Sequence, residues 1–156
     1  MHLSTKYYEL YDKLVELYYN TCFSECRLKL SLLCLLIILR NGLRVTESII
    51  AVEEFLKTNS RVAVIKALKR GNLRFVVLAE EISLLDLYEL KQCIDTMNRF
   101  VIKNVSYSKL KTNPHALRKL YIKALHENNI SIEKIARIVG HVDEKNTKIY
   151  ISRVRQ

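Results

Sequence analysis

The amino-acid sequence predicts a mainly α-helical domain with one small antiparallel β-hairpin, an α+β fold. Apolar residues recur at helical spacing along most of the 156 residues, whereas only two short runs are rich in β-branched and aromatic residues. The chain holds one proline and three glycines and has no repeat or linker-like segment. We therefore expect a single domain, residues 1–156, long enough to bury a core without the support of disulfide bonds or metal ions.

Local signals place the elements in order. Serine or threonine residues suit helix caps, glycine residues suit helix ends, and a proline suits the first turn of a helix. The predicted elements are a helix from Ser4-Thr5 to about Asn20, a helix from about Ser24 to Arg40 that stops at Asn41-Gly42, a helix from Val45 to about Phe55, a β-hairpin of Arg61 to Lys66 and Leu73 to Leu78, a helix from about Glu80 to Asn98, a polar loop from Lys103 to Asn113, a helix from Pro114 to about Asn128, a helix capped by Ser131 and ended by Gly140, and a short helical segment from about Glu144.

The charge of the chain indicates a polyanionic partner. Lysine and arginine number 26 against 16 aspartate and glutamate, a formal net charge of +10. Such an excess favours nucleic acid through release of its counterions, although a basic surface that only keeps the protein soluble is the alternative.

No membrane segment is expected. The most apolar stretch, Leu28 to Leu39, is 12 residues long and contains Lys29, whereas a membrane-spanning helix needs roughly 20 apolar residues. The N-terminus has no signal-peptide pattern. We expect a cytoplasmic protein, in the host cytoplasm or nucleoid if it is viral.

The four cysteines are Cys22, Cys26, Cys34 and Cys93. Because no secretory signal precedes them, we expect free, reduced thiols. The Cys22/Cys26 spacing has no second Cys or His pair to complete a zinc site. We therefore expect no metal and no cofactor.

The last third of the chain carries residues suited to phosphodiester chemistry. His115 and Arg118 are three apart and share one face of a predicted helix, His141 follows a predicted helix end, and Tyr150 comes shortly after it. Earlier in the chain, Glu47 lies one helical turn beyond Arg44, close enough to bind its guanidinium group.

Each residue type has a role in displacement at phosphorus. A guanidinium group donates two parallel hydrogen bonds to phosphate oxygens, which suits Arg44 and Arg118. A phenol with a pKa of about 10 needs nearby cations or a base before it attacks. Lys69 could protonate the 5′-hydroxyl leaving group, while His115 serves as acid or base and His141 donates to a non-bridging oxygen. With these cations present, the chemistry requires no metal ion.

Tyr150 is the candidate nucleophile. The chain has nine tyrosines, and the five in the first predicted helix are interpreted as packing residues because of their spacing. Only Tyr150 follows the other candidate residues in this order.

These motifs resemble those of the tyrosine recombinase (phage integrase) catalytic domain. Members of that family carry an arginine in a Gly-Leu-Arg-x-x-Glu setting, a hairpin lysine, a His-x-x-Arg, a Gly-His and a Thr-x-x-Tyr. The matching residues here, between about 28 and 151, are Gly42-Leu43-Arg44-Val45-Thr46-Glu47, Lys69, His115-Ala116-Leu117-Arg118, Gly140-His141 and Thr147-Lys148-Ile149-Tyr150.

The resemblance implies the tyrosine recombinase catalytic-domain fold and a site-specific DNA recombinase or integrase of a virus or mobile element. Such an enzyme cleaves and rejoins double-stranded DNA through a covalent 3′-phosphotyrosyl intermediate. It implies a homotetramer on paired DNA sites, whereas the isolated domain could be a monomer. The separate N-terminal core-binding domain of the family is not expected in residues 1–156, and the stretch between Lys69 and His115 is shorter than is common.

Further cations are expected to bind DNA, namely Lys66, Arg70 and Lys119. Lys66 is also the alternative to Lys69 as the hairpin lysine of the site.

Two other functions remain open. A type IB topoisomerase would use the same chemistry to cut and rejoin one strand. A DNA-binding regulator without catalysis could use the stretch from Ser131 to His141 as part of a helix-turn-helix, but it would have no need for Tyr150.

Overall fold

The structure is a computed structural model that describes residues 2–67, 72–140, 147, 148 and 151, with residues 2–4 in backbone only. Its helices are α1 (His2–Tyr19), α2 (Cys26–Asn41), α3 (Val45–Thr58), α4 (Leu84–Leu90), a 3-10 helix (Lys91–Thr96), α5 (Arg99–Leu110), α6 (Pro114–Glu127) and α7 (Ile132–Val139). The strands are β1 (Val62–Lys66) and β2 (Leu73–Val77). The predicted fold class, mainly α with a small antiparallel hairpin, is confirmed.

Helix α2 lies at the centre of the core. Its apolar residues from Leu30 to Leu39 are at most 1% exposed, and α1, α3, α5 and α6 pack around it. Lys29 is buried too, and its Nζ donates to the carbonyls of Tyr18 and Thr21, each at 2.8 Å. An almost wholly apolar helix is thus surrounded on all sides, as its sequence requires.

The β-hairpin packs one face on this core. The strands pair in antiparallel register from Val62 opposite Val77 to Lys66 opposite Leu73, and the Ala67 N–H continues the pairing to the Asn72 carbonyl at 3.1 Å. Alternate residues are buried, and one of those on β2 is an arginine, Arg74.

A second, smaller apolar cluster joins the C-terminal elements. Ile122 of α6, Ile135 and Val139 of α7, and Ile151 are buried together. Thr147, Lys148 and Ile151 are helical, while the other residues of the predicted last segment lie outside the described residues.

Two predicted elements are wrong. The helix expected from Glu80 to Asn98 begins only after Ser83, whose Oγ accepts from the Asp86 N–H at 3.2 Å, and it changes to the 3-10 helix at Lys91. The loop expected from Lys103 to Asn113 is mostly helix α5. Asn98 caps α5 by accepting from the N–H groups of Phe100 and Val101.

The expectation of free thiols is wrong for two of the four cysteines. Cys26, at the start of α2, and Cys93, in the 3-10 helix, form a disulfide with their Cα atoms 6.2 Å apart. They are 67 residues apart in sequence and meet because the 3-10 helix packs against α2. Cys22 and Cys34 are free.

None of the described helices is long and apolar enough to cross a membrane.

Candidate functional site

The turn between α2 and α3 presents Arg44. Helix α2 ends at Gly42, which has a left-handed backbone (φ 67°) and donates its N–H to the Ile38 carbonyl at 2.7 Å. Glycine suits this place because side chains with a Cβ rarely adopt that conformation. The next residue, Leu43, is buried, and Arg44 is the extended N-cap of α3. The guanidinium group of Arg44 therefore emerges at a fixed helix start.

The side chain of Glu47 stabilises this turn through contacts with Arg44. Its Oε1 accepts the Arg44 backbone N–H at 2.8 Å, which satisfies one of the N–H groups that a helix start leaves open. Its Oε2 lies 3.5 Å from Arg44 Nη1, an ion pair between residues one helical turn apart. The Glu47 side chain is completely buried.

Arg118 lies behind the turn, also completely buried. Its Nη1 donates to the Gly42 carbonyl and lies 3.8 Å from Glu47 Oε1, while its Nη2 donates to the Val139 carbonyl at 3.3 Å. One guanidinium group on α6 thereby connects the α2–α3 turn to the last residue of α7. Three separate parts of the chain are joined at this point.

His115 and Arg118, predicted to share one face of α6, differ in environment. His115 is exposed at the first turn of α6, whereas Arg118 is inside. His115 and Arg44 line the same groove, of about 600 Å³, between the start of α3 and helices α5 and α6. The structure thus places Arg44 and His115 along one groove, while Arg118 is buried behind the α2–α3 turn.

The groove is basic and aromatic. Besides Arg44 and His115, its lining includes Arg99, Phe100, Lys103 and Tyr107 of α5, and among the described residues no carboxylate lines it. Arg99 lies over the Phe100 ring, with Cζ 5.3 Å from the ring centre. Exposed cations clustered on one surface suit nucleic acid, whose phosphates they would contact.

Sequence reasoning missed these α5 residues because it placed a loop from Lys103 to Asn113 and assigned no element to Arg99 and Phe100. A signal was present, since Arg99, Lys103 and Tyr107 are four apart and so lie on one face of a helix.

The hairpin and the end of α7 meet beside the site. Gly140, with φ 80°, packs so closely on Ala67 that an added Cβ would lie 2.4 Å from the Ala67 Cβ. Ala67 and Gly140 are the described residues nearest in sequence to Lys69 and His141, respectively. Of the predicted site residues, Lys69, Arg70, His141 and Tyr150 lie outside the described residues.

The remaining predicted cations are separated. Lys66 is exposed at the end of β1, opposite Leu73. Lys119 lines a different groove between α1 and α6, together with Lys6, Lys13 and Lys123. The structure does not bring Lys119 to the groove of Arg44 and His115.

The α1 tyrosines are poor candidates for a nucleophile. Burial raises the pKa of Tyr7, Tyr11 and Tyr18 well above the usual value, and their hydroxyls donate to the Leu39 carbonyl, Glu81 and Asp86, respectively. The interpretation of all five as packing residues is wrong for Tyr8 and Tyr19, which are more than half exposed.

Within the described ranges, no group of three or more His, Cys, Asp or Glu residues could hold a metal ion.

The fold is shared with a structurally characterised recombinase. The crystal structure of XerA recombinase matches 93% of this chain with a TM-score of 0.52 and 18% identity, over 60% of its own length. At that identity the match shows a common fold alone.

The chain is also related in sequence to a viral protein. The chain is 34% identical over 108 residues, 69% of its length, to "Putative integrase ORF241" of Acidianus two-tailed virus, and it spans 45% of that relative. No family model matches the chain. Together with the fold match, this relationship supports a tyrosine recombinase/integrase-like domain, and the chain spans about half the length of the curated relative.

Proposed function

We propose that this chain cleaves and rejoins double-stranded DNA through a covalent 3′-phosphotyrosyl intermediate, as a site-specific recombinase or integrase. The observation that carries the proposal is the joint placement of Arg44 and His115 in a basic groove without a carboxylate among its described lining residues. The 34% identity to a viral protein named as an integrase supports the same class.

The cations of the groove would bind the phosphate under attack. The Arg44 side chain is 21% accessible, pairs with Glu47 through its buried Nη1 and lines the groove. A guanidinium group held in this way can donate to two non-bridging oxygens, whose negative charge grows in the transition state. Arg118 would act at the same centre, and its described contacts fix the backbone around Arg44.

The proposed step is a transesterification. The phenolic oxygen of Tyr150 forms a bond to phosphorus as the bond from phosphorus to the 5′ oxygen breaks. The phenol proton passes to His115, the departing 5′ oxygen takes a proton from Lys69, and His141 donates to a non-bridging oxygen. Attack by a 5′-hydroxyl on the phosphotyrosine reverses these steps and restores the phosphodiester without ATP.

The proposed partner is duplex DNA, with Lys66, Arg70 and Lys119 contacting its backbone away from the scissile phosphate. We propose that the recombining form is a homotetramer on two sites, as the resemblance implies. The proposed reaction uses no metal, because Arg44, Arg118 and Lys69 supply the positive charge that a metal ion would otherwise provide.

Covalent trapping tests this function. Wild-type protein and Tyr150→Phe are incubated in EDTA with a nicked suicide duplex, in which the strand released by cleavage diffuses away, and are run on a denaturing gel. We expect a labelled protein–DNA adduct from wild type and none from Tyr150→Phe, with equal DNA affinity. Equal binding without an adduct from either protein would favour a non-catalytic DNA-binding regulator.

A second assay separates the two catalytic classes. Paired sites on one plasmid give recombinant products with a recombinase, whereas a type IB topoisomerase relaxes the supercoiled plasmid without exchanging strands. Mapping the nucleotide joined to the protein then identifies the cleavage site.

A further inference from the structure

A buried arginine on the hairpin contacts the same backbone as Arg118. Arg74 is 4% exposed and projects from β2, where its Nη2 donates to the Asn41 carbonyl and its Nη1 lies 3.5 Å from the Gly42 carbonyl. The Gly42 carbonyl therefore receives guanidinium groups from two directions, one from the hairpin and one from α6.

Arg74 also lies beside the end of α7. A Cβ added to Gly140 would come within 3.7 Å of Arg74 Cδ, next to its close contact with Ala67. The aliphatic part of Arg74 thus lies between the hairpin and α7, while its guanidinium group reaches the α2–α3 turn.

The position of Arg74 along the hairpin indicates which part it fixes. At the far end, the Asn41 side chain donates to the Val77 carbonyl at 2.8 Å and accepts the Val77 N–H at 2.9 Å. Arg74 is next to Leu73, the first residue of β2, and so lies at the end that leads into the turn containing Lys69. Asn41 holds one end of β2 to α2, and Arg74 holds the other.

The guanidinium group of Arg74 is buried beside the carbonyls of Asn41 and Gly42, and its removal from water costs free energy. Burial lowers the pKa of Arg74, and the nearby carboxylate of Glu47 acts in the opposite direction. Burying a guanidinium group is costly unless its donors are paired, and here Nη1 and Nη2 face the two carbonyls while the buried Nε has no hydrogen-bond partner. The two carbonyls therefore restrict the geometry of this side chain.

We propose that Arg74 is a positioning residue that holds the Leu73 end of the hairpin to the turn that presents Arg44. This inference rests on the proposed function, in which Lys69 of the same hairpin protonates the leaving 5′ oxygen. The turn itself is held independently by Glu47 and Arg118, so loss of Arg74 affects proton delivery more than phosphate binding.

The test replaces Arg74 by methionine, which keeps an apolar side chain of similar length and removes the donors. Single-turnover adduct formation is measured on the suicide duplex and on the same duplex with sulfur in place of the bridging 5′ oxygen. A thiol has a pKa of about 8.5, so a thiolate departs without a proton from the enzyme. We expect Arg74→Met to cut the oxygen substrate about 10²-fold more slowly than wild type, the loss typical of a missing general acid. The sulfur substrate should react at close to the wild-type rate, with unchanged DNA affinity.

Two variants provide controls. Arg61 also donates to two carbonyls, those of Ile82 and Ala79, at 2.6 and 2.8 Å, but it lies before β1 at the opposite end of the hairpin. Arg61→Met should therefore leave the ratio of sulfur to oxygen rates unchanged. Arg74→Lys keeps a donor for the carbonyls and should recover part of the oxygen rate. If Arg74→Met does not fold, the rate ratio of Arg74→Lys carries the test, with a value above that of wild type expected.

The outcomes separate the two proposals. Absence of an adduct from wild type on both substrates rejects the proposed function itself. Wild-type cleavage combined with an unchanged oxygen rate in the Arg74 variants, or with equal losses on oxygen and sulfur, rejects the role of Arg74.

Discussion

Glu47 and Arg118 form an ion pair that is wholly excluded from solvent, with Oε1 and Nη1 3.8 Å apart. Each comes from a helix that contributes to the candidate site, Glu47 from the first turn of α3 and Arg118 from α6. Because Glu47 also accepts the Arg44 N–H, the buried pair couples the stability of the fold to the position of a residue in the groove.

Glu47→Gln should therefore destabilise the protein. The amide oxygen can still accept the Arg44 N–H, but the buried Arg118 loses its counter-charge, a change that typically costs roughly 3 kcal/mol or more. Glu80→Gln is the matched control, since Glu80 is exposed and lies 2.9 Å from Arg40; its cost should stay below about 1 kcal/mol. Urea unfolding of both variants measures the two free energies. Equal losses of unfolding free energy in the two variants would show that burial does not strengthen the Glu47–Arg118 pair.

Arg118→Lys tests the shape of the cation separately from its charge. The guanidinium group donates to the carbonyls of Gly42 and Val139, which belong to different parts of the chain. A single ammonium group cannot make both hydrogen bonds, and it lacks the two parallel N–H donors of a guanidinium group. We expect adduct formation to fall about 10²-fold, comparable with loss of a preorganised donor in other enzymes. Arg137→Lys, at an exposed position of α7, is the control. Wild-type rates in Arg118→Lys would remove the need for a guanidinium group there.

Lys103→Gln tests whether the groove binds DNA. Lys103 is exposed and lines the groove, whereas Lys109 is exposed on the same helix but does not line it. For one lost phosphate contact, the slope of log affinity against log salt should become shallower by about 0.9. Fluorescence anisotropy with a short duplex across a range of salt concentrations measures that slope. Lys109→Gln should leave it unchanged, and an equal effect of the two variants would place the DNA elsewhere.

The sequence predicted the elements that carry strong local signals. The Gly42 end of α2, the proline start of α6, the Ser131 cap of α7 and the hairpin all agree with the structure. Each depends on a backbone conformation or a cap that only a few residue types supply. The same local signals placed Arg44 and Glu47 one turn apart at the start of α3 and His115 in the first turn of α6.

The failures share a different cause. Helix α5 buries only Ile102, Ser106 and Leu110 fully, and its lysine, serine and asparagine residues led to the prediction of a polar loop. The role of Arg74 depends on carbonyls about 30 residues away, and the Cys26–Cys93 pair spans 67 residues. Such contacts arise from tertiary packing and leave no periodic pattern in the sequence.

The disulfide predicts a thiol count. Under denaturing, non-reducing conditions, two of the four cysteines should react with a thiol reagent, namely Cys22 and Cys34. In the native protein only Cys22 should react quickly, because burial raises the pKa of the Cys34 thiol to about 12. Four reactive thiols in the denatured protein would contradict the Cys26–Cys93 bond.

The same bond should stabilise the fold. In the chain-entropy model, a bridge that closes a loop of this length contributes about 4 kcal/mol, mainly by restricting the unfolded chain. The double variant Cys26→Ser, Cys93→Ser should lower the melting temperature and make it insensitive to reductant. Cys22→Ser, which alters an exposed free thiol, should keep the wild-type response. An unchanged melting temperature in the double variant would show that the bridge adds no stability.

Gly42→Ala tests the turn that both arginines contact. Its φ of 67° disfavours a Cβ, and that Cβ would lie 2.3 Å from Cδ2 of Tyr121. We expect a loss of more than about 1 kcal/mol of unfolding free energy, the usual cost of a side chain in a left-handed position. Adding Tyr121→Leu should recover the steric part of the loss and leave the backbone part, so a double-mutant cycle should give a favourable coupling. Additive losses would mean that the ring moves aside at no cost. The strained turn also carries the carbonyl that Arg74 and Arg118 share, so adduct formation should fall with Gly42→Ala even at temperatures where the variant is fully folded.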